Sequence, residues 1–259
     1  MIFATNFDWG IVWQYRIQLL QGLGVALEVA ATALIIAVFV GLIVALGRMS
    51  KGPVKWIAAI YINVFRGIPS IVSVLWIYFG WSLLLGINLT PFQAGVTALV
   101  LLYGAFIAEI YRAALEAVPR GQREAGLAVG MHRIRIFWHV VFPQATRIAI
   151  PNIGSMFIGM VKDTSVFSVV GLLELLRVTQ NVISTTYQPF VLYTVAAGLY
   201  VAVAFLIDFL FRLIEKVLAK PSSGRLSGLI TGKQRRRAEA VAARVLSGGG
   251  VAAVQGGLT

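Results

Sequence analysis

Lys162-Asp163-Thr164-Ser165 places two opposite charges and two hydroxyls inside a long apolar run. A charge at the centre of a membrane helix costs ~2.5–3.5 kcal/mol, so such groups mark either a path for a polar solute or a pair that neutralises neighbouring helices. Lys162 stands about eleven residues past Pro151, roughly 17 Å into a bilayer if the chain there is helical. Glu28 is a lone carboxylate in the outer part of an earlier apolar run, and pathway and packing roles are both open to it. Glu109, Arg112 and Glu116 are spaced three and four apart, the spacing of a self-neutralising helical ladder. A gate or inter-subunit contact, with Arg66, is the alternative use of Glu109 and Arg112. Asp208 and Arg212 have the spacing of a structural pair.

A second constellation, Glu124-Ala125-Gly126-Leu127-Ala128-Val129-Gly130, lies in a basic stretch that Phe142-Pro143-Gln144 closes. Pro119 to Gly121 breaks the chain, a short helix is predicted over 122–129, and Gly130 ends it. Ala125, Gly126 and Ala128 carry almost no side-chain bulk, which would let another protein's surface approach the backbone. Glu124 adds one fixed charge near the helix start, where it complements the dipole. The bland alternative is an ordinary amphipathic loop helix. No catalytic set is present. His132 and His139 have no cysteine or clustered carboxylates beside them, so no metal site is expected. Gly232-Lys233 lacks the earlier glycine, the following Ser or Thr and the preceding strand of a phosphate-binding loop. Energy for any transport must come from a partner or an ion gradient.

The elements that position these groups are apolar helices. Of 259 residues, 59% are hydrophobic and 12% charged, outside the soluble range. Five spans are expected, over residues 22–46, 68–85, 92–110, 150–170 and 190–211. Residues 53–85 are too long for one straight span, at roughly 50 Å. A bend is therefore predicted at Gly67 and Pro69, with the first half at the interface or outside the bilayer. The first apolar run is too long for a signal peptide and lacks a basic leader, so it is expected to be retained. Arginine and lysine gather in alternate segments: Arg48, Lys51 and Lys55; then Arg112, Arg120, Arg123, Arg133, Arg135 and Arg147; then the tail after Phe211. By the positive-inside rule the amino terminus is outside and the carboxyl terminus cytoplasmic. The net charge of +12 is thus topogenic, and nucleic acid is not an expected partner. The expected divisions are an extracytoplasmic segment 1–21, a transmembrane domain 22–219 with a cytoplasmic loop over about 112–147, and a basic tail 220–259. The tail reads as a solvated extension, or as a short basic helix over 238–246 against anionic lipid.

Residues 103–180 resemble the permease subunits of bacterial ABC importers, specifically the polar amino acid uptake group. The family's Glu-Ala-Ala, three residues, Gly signature with a downstream Leu-Pro reads here Glu124-Ala125-Gly126, Gly130 and Phe142-Pro143-Gln144-Ala145. Ala108-Glu109-Ile110-Tyr111-Arg112, Ala117-Val118-Pro119-Arg120-Gly121-Gln122, Lys162-Asp163-Thr164-Ser165 and Phe65-Arg66-Gly67-Ile68-Pro69 also match, with Ile68 in place of Thr. Gly126 and Phe142 depart from Ala and Leu but keep that surface small or apolar. The resemblance implies an all-α permease of type I importer architecture in the bacterial inner membrane. It implies that the chain is not itself an enzyme and binds no cofactor, with ATP-Mg held by partner subunits. It makes the short helix a coupling helix, with Glu124, Ala125, Gly126, Gly130 and Pro143 in the ATPase-docking loop. Implied partners are two cytoplasmic ATPases, a second permease (homo- or heterodimer), an extracytoplasmic substrate-binding protein and membrane lipid. Ala33, Ala37, Gly41 and Ala45 form a small-residue stripe suited to close helix packing, either between subunits or within one. A gradient-driven carrier and a non-transporting scaffold are the rival readings.

Overall fold

The structure is a computed structural model that describes residues 7–218, and every element among those residues is helical. The predicted tail 220–259 lies outside the described residues. The helices are α1 (Gly10–Met49), α2 (Pro53–Gly67), α3 (Ser70–Leu75), α4 (Trp81–Leu85), α5 (Pro91–Ala117), α6 (Arg120–Ala128), α7 (Arg133–Ile136), α8 (Phe142–Asp163), α9 (Leu175–Thr186) and α10 (Pro189–Leu218). Single π turns join α3 to α4 and α7 to α8, and a 3₁₀ segment, Thr164–Val170, follows α8.

By length and composition, α1, α5, α10 and the continuous run Arg133–Val170 can each cross a membrane. The bent pair Pro53–Gly67 and Ser70–Leu85, folded by 111°, is the fifth if it counts as one span. The bend falls where Gly67 and Pro69 predict it. Ile68 is extended, with φ −92° and ψ 132°, because a following proline excludes the helical region for the residue before it.

Helix ends differ from the predicted spans. The 40-residue α1 starts at Gly10, so residues 10–21 of the expected outer segment 1–21 are helical and continuous with the first span. Glutamine, leucine and arginine there are good helix formers. Hydropathy reports the bilayer, not the end of the hydrogen-bond ladder. At about 60 Å, α1 exceeds a ~30 Å hydrocarbon core and must project beyond it. The fourth span also begins well before residue 150, because Arg133–Val170 is helical throughout. Phe142-Pro143, in the expected cytoplasmic loop over about 112–147, therefore sits in a helical run. Pro143 is near the start of α8, and the π turn Phe137–Val141 before it absorbs the missing N–H.

The core centres on α1 against α5. Ala33, Ala37 and Ala45 are fully buried, and a Cβ on Gly41 would stand 2.7 Å from Ile107 Cγ2. The small-residue stripe thus packs within the chain. α5 begins with a reciprocal cap: Gln93 N–H donates to Thr90 Oγ1 at 3.2 Å and Thr90 N–H to Gln93 Oε1 at 3.0 Å. It stops before Val118-Pro119.

Candidate functional site: the short helix at the basic end and the polar break in the core

Arg120–Ala128 forms α6 between the end of α5 and the start of α7. Its end is a Schellman motif. Met131 N–H donates to Gly126 O and Gly130 N–H to Leu127 O, both at 3.0 Å, with Gly130 at φ +78°. Glycine at 130 is therefore required by the backbone, and it stops the helix as predicted.

The residues of α6 divide by face. Glu124, Ala125 and Ala128 are exposed. Among the described residues Glu124 has no hydrogen bond or ion pair. Because α6 starts at Arg120, two residues before the predicted start, Glu124 lies in the second turn, beyond the strongest dipole effect. Gly126 faces inward instead of offering a smooth outer surface. A Cβ there would be 2.8 Å from Ile136 Cγ1, so its lack of a side chain seats α6 on α7. The rest of α6 is exposed, with Leu127 beside Glu124, Ala125 and Ala128.

The polar run in the core also divides. Asp163 accepts from Tyr103 Oη at 3.2 Å, and Thr164, fully buried, donates to Val161 O at 2.7 Å. Lys162 is exposed and Ser165 half-buried, and both line a groove of about 550 Å3 between α8 and α10, with Tyr200 and Asp208. Ser165 Oγ donates to Lys162 O at 2.7 Å. Lys162 and Asp163 therefore point apart and form no ion pair. The 3₁₀ segment that follows marks the break in the helix.

The remaining charges fall as follows. Arg112 binds Glu109 at 2.8 Å and Glu116 at 2.7 Å, the predicted ladder. Glu109 also lies in the field of Arg66 and Arg48. The Arg66 guanidinium sits 5.4 Å over the Phe106 ring. Asp208 pairs with Arg212 at 2.8 Å. Glu28 is exposed on α1, with no polar partner among the described residues.

Sequence reasoning passed over Glu174, which is fully buried. It caps α9, accepting from Leu176 N–H at 2.8 Å and Arg177 N–H at 2.7 Å, and it accepts from Tyr200 Oη at 2.8 Å. Burial pushes its carboxyl above the usual carboxylate range, against those three donors, which pull it down. The available signal was a carboxylate directly before an amphipathic helical stretch. Glutamate is not among the preferred caps, so propensity did not single it out. Among the described residues no cluster of His, Cys, Asp or Glu could hold a metal ion.

Comparison with known proteins places this arrangement. The family described as the binding-protein-dependent transport system inner membrane component matches residues 37–220. The glutamine transport system permease protein GlnP of Escherichia coli K12 is 32% identical over 213 residues, covering 82% of this chain and 97% of that protein. The L-cystine transport system permease protein TcyB of Bacillus subtilis 168 is 35% identical over 219 residues, covering 83% and 93%. A crystal structure of an amino acid ABC transporter with histidines superposes with TM-score 0.76 at 35% identity, over 82% of this chain and 99% of that one. An inward-facing MetNI methionine ABC transporter shares the fold, at TM-score 0.70 and 22% identity. With its helical core and the family match over most of its length, the chain belongs to the family of inner membrane components of binding-protein-dependent transport systems.

Proposed function

We propose that the chain is the permease subunit of an ATP-driven importer for a polar amino acid. The single observation that carries this reading is α6, a short helix held by Gly126 against Ile136 and by the Gly130 motif. It presents Glu124, Ala125 and Ala128 at the end of the molecule where the arginines gather. The relatives named for glutamine and cystine transport support the substrate class.

In this reading the basic end faces the cytoplasm and α6 seats in a groove of an ATPase. Closure of two ATPases rotates the permease against a second permease subunit, alternating access to the pathway. A binding protein delivers substrate at the opposite end. Lys162 and Ser165, on the open groove between α8 and α10, are the pathway candidates of the polar run. Asp163 and Thr164 hold the break in shape. Glu28, facing away from the chain's own core, meets either the pathway or a neighbouring subunit.

Whole-cell uptake of labelled polar amino acids separates this reading from a gradient-driven carrier. Uptake is expected to stop on ATP depletion and to survive an ionophore. Uptake that collapses with the ionophore while ATP is depleted without effect would contradict it. A chain whose deletion leaves uptake unchanged but releases a cytoplasmic protein from the membrane would be a scaffold.

A further inference from the structure

A cavity of about 400 Å3 lies behind α6, bounded by the end of α1, the end of α5 and the start of the run Arg133–Val170. Its apolar lining includes Leu46, Met49, Leu115 and Ile136, and its polar lining is two arginines, Arg123 and Arg133. No carboxylate lines it. Arg123 Nη2 donates to Leu115 O at 3.1 Å, tethering that guanidinium beside the cavity and leaving its other N–H groups for a ligand. Arg133 has no ion pair among the described residues.

We propose that this cavity binds one anionic phospholipid, with the phosphate on Arg123 and Arg133 and an acyl chain over the apolar lining. Three observations choose that occupant. The volume lies within the range of ligand sites, roughly 300–1,000 Å3. Guanidinium groups are geometrically matched to phosphate oxygens and are weakly hydrated, and basic pockets between membrane helices take anionic headgroups. The cavity also joins apolar to basic surface: Leu46 and Met49, at the end of α1, line it together with Arg133, the first residue of the fourth apolar run. Charge and apolar surface meet there as they do in a lipid. A soluble phosphate would use only the arginines and leave the apolar lining wet.

The lipid would stand between α6 and the ends of α1 and α5, so anionic lipid content would set how firmly the short helix is held. That consequence rests on the role proposed for α6; binding does not, and it is measured separately.

The test uses the full-length chain, purified with whatever subunits accompany it and delipidated in mild detergent. It is then offered phosphatidylglycerol or phosphatidylcholine, and bound lipid is counted by native mass spectrometry. Wild type is expected to retain one phosphatidylglycerol per chain in preference to phosphatidylcholine. Arg133→Gln should weaken retention roughly tenfold, the loss of one charge-assisted contact, while Arg133→Lys keeps most of it. Met49→Trp, which fills the cavity and leaves both arginines, should also reduce retention. Equal retention of the two lipids, or unchanged retention in both Arg133→Gln and Met49→Trp, would overturn the proposal. Inorganic phosphate that stabilises the delipidated chain as fully as phosphatidylglycerol would assign the cavity to a free anion, and so overturn the lipid.

Discussion

Gly126 holds α6 in place by having no side chain, since a Cβ would stand 2.8 Å from Ile136 Cγ1. Gly126→Ala is therefore expected to push α6 off α7 at a cost of about 1–3 kcal/mol, lowering uptake while the chain still inserts. The double variant Gly126→Ala with Ile136→Ala should recover part of that loss. Transport assays on the pair check it, and full uptake by the single variant would show that the contact is dispensable. At the polar break, Tyr103→Phe removes the donor to Asp163 and leaves its carboxylate less satisfied. A loss of about 1–3 kcal/mol is expected, visible as a lower Tm in detergent. The sequence made Gly126, Gly130, Lys162 and Asp163 recognisable as special but did not orient them. Residue type gives size and charge; which way a side chain faces depends on the phase of a helix against neighbours distant in sequence. Hence Gly130 was placed correctly by its local turn chemistry, whereas Gly126 was expected outside and is inside.

At the scale of elements, the tight fit of α1 to α5 predicts a sharp contrast between two glycines of one helix. Gly41→Leu would collide with Ile107, whereas a Cβ at Gly24 would have nothing within 4 Å, so that position should accept alanine. Gly41→Leu is expected to lower stability by about 1–3 kcal/mol or more, and Gly24→Ala to change it little; thermal unfolding in detergent compares them. Glu174→Ala removes the α9 cap and the Tyr200 contact together. It should cost about 1–3 kcal/mol and raise amide exchange along α9, and unaltered exchange would mean that the cap is redundant. Four of the five expected apolar spans were legible because bilayer thickness imposes a length on apolar runs, and the remaining one corresponds to the bent pair Pro53–Gly67 and Ser70–Leu85. Helix ends beyond the bilayer were not, because hydropathy stops reporting where polar helix continues, as in residues 10–21 of α1. The bend at Gly67 and Pro69 was legible because proline acts on its immediate neighbour. Pro143 was harder to place in a helix, since it falls in the first turn of α8, directly after a π turn.

For the whole molecule, the chain is proposed as the membrane half of a machine whose motor would dock on α6. Family membership followed from motifs spread in order along most of the chain, which no single motif could have supplied. The substrate was not legible, because the polar break offers one exposed cation, Lys162, and a groove open on one side. Docking of an ATPase on α6 is checked by purifying the tagged full-length chain from its native host under mild solubilisation and crosslinking. Wild type would be compared with Glu124→Lys and Glu124→Gln, and companions identified by mass spectrometry. A stoichiometric ATPase is expected with wild type, lost or strongly depleted in Glu124→Lys while that variant stays in the membrane. A chain that purifies alone, or an ATPase held equally by wild type and Glu124→Lys, would contradict docking at this helix.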